Sequence, residues 1–375
     1  MRQHLFGRAF VDGKVQDDIL VTLDEGVIAD VARAIDVPGD TLHVNGLITP
    51  GFIDTHIHGG DGADFMDADD AANARILSFH AQQGTTALAA TTLSSSRGDL
   101  MNAVEAIARA NATHGAEVVA VHLEGPYINS ERAGAQNRAS IRPADIQELA
   151  ALIAMAPRLR WIVTVAPEVE GVHSLIEHFR DRVLFSIGHT AATYAEAVAA
   201  LDWGAAHFTH LFNAMTSFGH REPGVVGAAF TAIDATAELI ADGVHVHPAV
   251  LRFVALTMPH RVTLITDAMR ACGLSEGNYH LYEYPITVAD GAARLVDGTL
   301  AGSVLTMSRA VQNMVELAGV PLDCVLPLAT EVPARVLGVA DRKGKLEVGY
   351  DADVVVLTER FEVEHVWVRG RKLAS

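Results

Sequence analysis

The chain has 375 residues, half of them hydrophobic, with 46 acidic against 28 basic residues and a formal net charge of −18 at pH 7. Such a surplus repels polyphosphates and anionic lipid headgroups, which excludes nucleic acid and a membrane surface as partners. Two cysteines, Cys272 and Cys324, make neither a disulfide framework nor a thiolate zinc site, and no apolar run approaches the ~18 residues of a membrane span, so a cytoplasmic protein is expected.

Residues 1–46 alternate apolar and polar side chains around Gly and Asp turns, as half-buried antiparallel strands do. From 47 to 342, short β-rich apolar runs alternate with longer stretches of helical spacing. The predicted strands are 47–56, 85–91, 117–124, 160–166, 182–189, 205–211, 237–242 and 261–267. A representative helix is predicted over 99–115, with Leu100, Val104, Ile107 and Ala108 on one stripe, and Gly84, Gly115 and Gly204 stand where helices end. Residues 343–375 return to the alternating pattern.

Eight strand–helix pairs with near-continuously apolar strands predict an α/β fold: a (β/α)8 TIM-like barrel over 47–342. A small β-sandwich domain is expected from both termini, 1–46 and 343–375. A doubly wound open sheet is the competing arrangement.

The unusual polar residues fall at strand ends. In "PGFIDTHIHGG" (50–60), His56 and His58 lie two apart, so on an extended strand they face the same way about 6.6 Å apart. Alone, the pair reads equally as a polar strand end or as two metal ligands. Glu124, His189, His210 and Asp267 also sit at carboxyl ends of predicted strands, and in a barrel those ends meet on one face. Four histidines and two carboxylates converging there suit one or two divalent ions, zinc foremost, with iron, cobalt or manganese as alternatives.

A divalent ion acidifies bound water and polarises a carbonyl, and Asp267 at the same rim can carry a proton from water to a leaving nitrogen. That combination points to hydrolysis of an amide-like bond; the other role for Asp267 is a further ligand. His245, after the seventh predicted strand, is either a ligand or a substrate contact, with His247 as its rival. His207 is an odd number of positions from His210 and is expected on the opposite face, while His80, His114, His173 and His178 fall in helical stretches and are expected exposed.

Read in order, "PGFIDTHIHG", "HLEGP", "GHT", "THLFNAM", "HREPG", "ADGVHV" and "TDAM" resemble the N-acetylglucosamine-6-phosphate deacetylase family of the amidohydrolase superfamily, over nearly the whole chain. The terminal "GYDADVVVL" resembles the superfamily's small β domain. The resemblance implies removal of acetate from a phosphorylated amino sugar. It also implies that Glu124, His189 and His210 hold the main metal, that Asp267 is the acid–base residue, and that His245 contacts substrate.

Asn213, Ala214 and Arg221 match the family's phosphate-binding positions, with Arg221 reaching a neighbouring subunit's site in a homodimer; Leu300, Ala301 and Gly302 match a substrate-lining segment. A forked guanidinium suits phosphate in an acidic protein, whereas a surface salt bridge is the plainer reading of Arg221. Ala135 and Gln136 lie in a substrate loop where the family often carries histidine in place of Gln136, so sugar recognition there is expected to differ.

His56 and His58 are implied to hold a second ion. Lysine occurs only at Lys14, Lys343, Lys345 and Lys372. The barrel therefore lacks the carbamylated lysine of dihydroorotase-like relatives, and Glu124 must bridge if two ions bind. The alternatives are a deacetylase of a related substrate, such as N-acetylgalactosamine 6-phosphate, and a non-catalytic metal-binding scaffold.

Overall fold

The computed structural model describes residues 2–110, 115–281 and 284–374. Eight parallel strands follow one another around the barrel in chain order: Phe52–Ile57, Thr85–Thr92, Glu117–Glu124, Arg160–Val165, Leu184–Ile187, His207–Phe208, Thr236–Ile240 and Val262–Ile265. The last meets the first through a parallel bridge between Ile57 and Ala268, supported by Asp267 N–H donating to His56 O at 2.9 Å. Buried Asp54 reinforces the seam, accepting from Thr266 Oγ1 at 2.5 Å.

Helices pack outside these strands because the strands are apolar on both faces and must be covered. Helix Arg97–Arg109 buries Leu100, Ala103, Val104 and Ile107. Ala108, predicted on that stripe, is exposed, since Ala103 completes the inward turn. The helix stops at Arg109, so Gly115 does not cap it; its Cβ position lies 2.5 Å from the Leu77 backbone, and close packing explains that glycine. His114 lies outside the described residues.

The strand predicted over 47–56 is two strands. Leu42–Pro50 belongs to the terminal sheet, where it pairs with Val354–Leu357, and Phe52–Ile57 opens the barrel. The sheet domain therefore reaches Pro50 rather than residue 46, and the hinge is Gly51. A Cβ there would fall 2.1 Å from Thr86 Oγ1, so only glycine lets the chain pass from one domain to the other.

The terminal domain is one seven-stranded, mainly antiparallel sheet containing Gln3–Val11, Lys14–Asp24 and Val27–Arg33 from the start of the chain and Val363–Val368 from its end. It closes on its own core, which includes Leu5, Val21, Leu23, Ile28, Ile48, Val354 and Trp367. A three-stranded antiparallel sheet, Gly277–Leu281, Tyr284–Ala289 and Ala292–Leu295, interrupts the barrel after its eighth strand and was not foreseen from the sequence.

Candidate active site

The six strand-end residues converge at the carboxyl end of the barrel, and all are buried. His56 is the penultimate residue of the first strand, and its Nε2 lies 3.2 Å from His58 Nε2, so the two rings converge on one point. Glu124 closes the third strand between two pairs of imidazoles. Its Oε1 stands 2.9 Å from His189 Nε2 and 3.0 Å from His210 Nε2, and its Oε2 stands 3.2 Å from His58 Nε2. Asp267 Oδ1 completes the group, 3.2 Å from His58 Nε2 and 3.6 Å from His56 Nε2.

Local backbone geometry aims these side chains. His189, His210 and Asp267 adopt left-handed φ angles of 46°, 29° and 49° just beyond their strands. Such a conformation costs about 1–3 kcal/mol at a non-glycine residue and persists where the surroundings impose it. Gly302 packs against the last of these with a left-handed φ of 60°, and a Cβ there would crowd Asp267 O at 3.0 Å, so backbone angle and close approach together favour glycine.

The donor set fits a metal ion. A carbonyl oxygen only accepts, so the 2.8 Å contact between His189 Nδ1 and Arg132 O places the ring proton on Nδ1 and leaves Nε2 a lone pair. That lone pair faces His210 Nε2 at 3.0 Å, a spacing that a shared proton satisfies and that a metal ion bound by both nitrogens would also satisfy. Of the three groupings of ligand atoms close enough to hold an ion among the described residues, two share Glu124: Glu124 with His189 and His210, and Glu124 with His56 and His58.

Electrostatics agree. Burial works against charge on His58, yet hydrogen bonds to Asp267 and Glu124 raise its pKa to about 9. Burial would raise the Asp267 carboxyl, but His56 and His58 more than offset it and hold it below the usual carboxylate range. Glu124, likewise opposed by burial, is held well below that range by His56, His189 and His210. Without an ion the site balances its carboxylates by protonating imidazoles, and a divalent cation does the same with stronger directional bonds.

Above the cluster lies a cavity of about 330 Å³. Of the residues predicted for substrate, Ala135, Gln136, Asn213, Ala214, His245, Leu300 and Gly302 line it. Ala301 does not; it is fully buried behind the wall, donating its N–H to Ala293 O. Arg221 does not either: it is exposed on the surface of the single chain, outside the cavity.

Gln136 turns its amide inward, donating to Glu124 Oε2 at 2.5 Å while its oxygen accepts from Ser94 N–H at 2.6 Å. Its described partners are therefore a ligand carboxylate and the backbone. Arg132, on the same loop, also lines the cavity and had not been assigned from the sequence.

His245 is held by Asp242, with Nδ1 2.6 Å from Oδ2, and faces the cavity apart from the ligand cluster. His247 instead caps helix Pro248–Thr257 through Nδ1. Two histidine expectations are corrected. His207 points into the barrel, 3.5 Å from Glu238 Oε1, because strand alternation ends at Phe208 and cannot be carried to His210. His80 is buried, with Nε2 donating to Gly59 O at 2.9 Å.

The sequence reading also missed His122, two residues before Glu124 and so on its face of the strand, and Glu238, an acid inside the apolar seventh strand. Each carried a signal: parity for the first, and a carboxylate within the apolar run "AELIA" for the second.

The chain matches the model of the Amidohydrolase family over residues 47–373. It is 40% identical to N-acetylglucosamine-6-phosphate deacetylase of Bacillus subtilis (strain 168), covering 90% of this chain and 86% of that protein. It is 38% identical to N-acetylgalactosamine-6-phosphate deacetylase of Escherichia coli O157:H7, covering 96% and 95%. Among solved structures, a mutant N-acetyl-D-glucosamine-6-phosphate deacetylase from Mycobacterium smegmatis in complex with N-acetyl-D-glucosamine-6-phosphate superposes with a TM-score of 0.94 at 33% identity, covering all of both chains. With this fold and a buried His/Glu/Asp centre at the carboxyl end of its barrel, the chain is a metal-dependent hydrolase and belongs to the amidohydrolase family.

Proposed function

We propose that this enzyme hydrolyses the N-acetyl group of N-acetylglucosamine 6-phosphate to acetate and glucosamine 6-phosphate, a step of amino-sugar catabolism. The observation that carries the reading is Asp267, buried at the cavity floor 3.2 Å from His58 Nε2 and beside the Glu124 cluster. A carboxylate held ionised there is ready to accept a proton.

His56, His58, Glu124, His189 and His210 would hold one or two divalent ions, with zinc the best match to imidazole and carboxylate donors and iron, cobalt or manganese also suited. When bound, the ion polarises the amide carbonyl and acidifies water. Asp267 Oδ1 takes the proton from the attacking water and returns it to the amide nitrogen as that nitrogen leaves. His245, with Nδ1 committed to Asp242, presents Nε2 to the substrate carbonyl.

Asn213, Ala214, Leu300, Gly302, Ala135 and Gln136 shape the sugar site, with Ala301 supporting its wall. Arg221 is the phosphate donor reaching into the partner's cavity of a homodimer. Support for that pairing comes from exposed Phe218 and Phe253, whose rings meet Phe230 edge-on and at a tilt; Phe218 lies on the same loop as Arg221. A sugar phosphate is retained inside the cell by its charge, which favours a cytoplasmic enzyme, and among the described residues no helix is long and apolar enough to cross a membrane.

The test is acetate release from N-acetylglucosamine 6-phosphate, N-acetylglucosamine and N-acetylgalactosamine 6-phosphate, each with defined metals. The expected order places the phosphorylated glucosamine derivative first. Equal rates on phosphorylated and free sugar would remove the phosphate site, and faster turnover of the galactosamine epimer would transfer the assignment to it.

A further inference from the structure

Beneath the ligand layer lies a second buried set of polar side chains, His122, His207 and Glu238, which the reaction above does not use. Glu238 sits in the seventh barrel strand, fully buried. Its Oε2 is 2.8 Å from His56 Nδ1 and 3.2 Å from the backbone N–H of His210. Its Oε1 accepts from Thr55 Oγ1 at 3.2 Å. One carboxylate thus touches two ligand residues, one by its ring and the other by its main chain.

Burying an ionised carboxylate costs several kcal/mol, and a neutral side chain of similar size would fill the same space without that penalty. The charge therefore has a purpose other than packing. A separate ion site made by Glu238, His56 and His122 is disfavoured, because both His122 nitrogens are engaged: Nδ1 donates to Thr55 O at 3.0 Å, and Nε2 lies 2.8 Å from Thr164 Oγ1.

We propose that Glu238 is a positioning residue of the metal centre. By accepting from His56 Nδ1–H it fixes the ring's rotation and tautomer, so that Nε2 is the atom presented to Glu124 and His58. By accepting from His210 N–H it holds the left-handed turn that points the His210 imidazole at Glu124. The inference rests on the metal-centre reading. It adds that the His56 side of the centre is built from the seventh strand, 182 positions away in sequence.

Glu238→Gln preserves volume and removes the charge. In the metal-free protein, histidine-selective ¹⁵N spectra should show the wild-type His56 protonated at Nδ1, and E238Q should move that resonance. Zinc titration of the apoprotein against a competing chelator should show about a 10–100-fold loss of affinity for the ion held by His56, His58 and Glu124, the range typical of lost carboxylate support behind a histidine ligand.

A purely packing role would leave both readouts at wild-type values in E238Q, and that result would overturn the proposal. So would a metal-free wild type carrying the His56 proton on Nε2 alone. If E238Q does not fold, Glu238→Asp, which keeps the charge but shortens its reach, is read in the same two ways. A wild type that takes up no zinc would overturn the metal reading, while the ¹⁵N spectra would still decide the role of Glu238.

Discussion

The third barrel strand, Glu117–Glu124, carries a charged cluster at each end, half-buried at its start and fully buried at its close, and the two are built on opposite rules. At its amino end, Glu117 pairs with Arg342 and with Lys343, and these two cations also hold Asp351 and Asp353 of the terminal segment. Lys343 Nζ lies 2.9 Å from Glu117, 2.9 Å from Asp351 and 2.5 Å from Asp353, and Arg342 reaches Glu117 and Asp351 at 2.8 and 2.5 Å. Every carboxylate there has a permanently charged partner supplied by the chain. At the carboxyl end, Glu124, Asp267 and Glu238 are partnered by imidazoles, whose charge depends on bound protons. The first cluster is complete as folded and joins the two domains; the second is balanced by whatever cation it takes up.

The sharpest way to break this contrast is at Asp267. Asp267→Asn is expected to lower kcat by about 10²–10⁴-fold with KM nearly unchanged and metal content retained, as for loss of a general acid–base group. Steady-state kinetics with metal analysis checks it, and a KM-dominated effect would place Asp267 in binding instead.

At the other end, Lys343→Met leaves carboxylates uncompensated in a buried space and is expected to destabilise the fold by about 3–5 kcal/mol in denaturant melts. Turnover per folded molecule should not change, because the cluster lies away from the cavity. A large kcat effect in stable protein would show that the two ends are coupled.

Arg221→Ala is expected to raise KM for the phosphorylated sugar by about 10–100-fold, the size of one lost charge-assisted contact of about 1.5–3 kcal/mol, while leaving the unphosphorylated sugar unaffected. Replacing His56 with Gln and His58 with Asn together should bring metal stoichiometry toward one while ion binding by Glu124, His189 and His210 persists. Unchanged stoichiometry would take the pair out of the centre.

The smallest effect concerns acid. Although burial works against it, Arg342 and Lys343 hold the Glu117 pKa at about 2, below its unfolded value, so its contribution to stability is present above about pH 4.5 and is lost as pH falls towards 2. The melting gap between wild type and Glu117→Gln should therefore narrow between pH 5 and pH 2.5.

How much was legible beforehand follows from which residues obey local rules. His56 and His58 were readable as a pair because strand parity holds within an extended segment. His189, His210 and Asp267 were readable as strand ends because a barrel gathers such ends. Parity failed at His207, since the sixth strand is two residues long and His210 has already left the extended region. It failed in another way at residues 47–56, where an uninterrupted apolar run conceals the transfer from one sheet to another at Gly51. Gln136 was placed at the cavity, but the direction of its amide depends on Ser94 and Glu124, from two other barrel segments.

By itself the sequence determined the barrel, the two-ended sheet domain and the chemical type of the centre. Hydrophobic period, turn residues and the identity of metal-binding side chains are local properties, and the absence of barrel lysine is a matter of counting. Only the tertiary structure decided that Glu124 stands between both imidazole pairs, that Glu238 backs His56, and that Lys343 closes the opposite end. Those relations are distances between segments far apart in the chain, and they come into being when eight strands close into a ring and bring their ends within hydrogen-bond range.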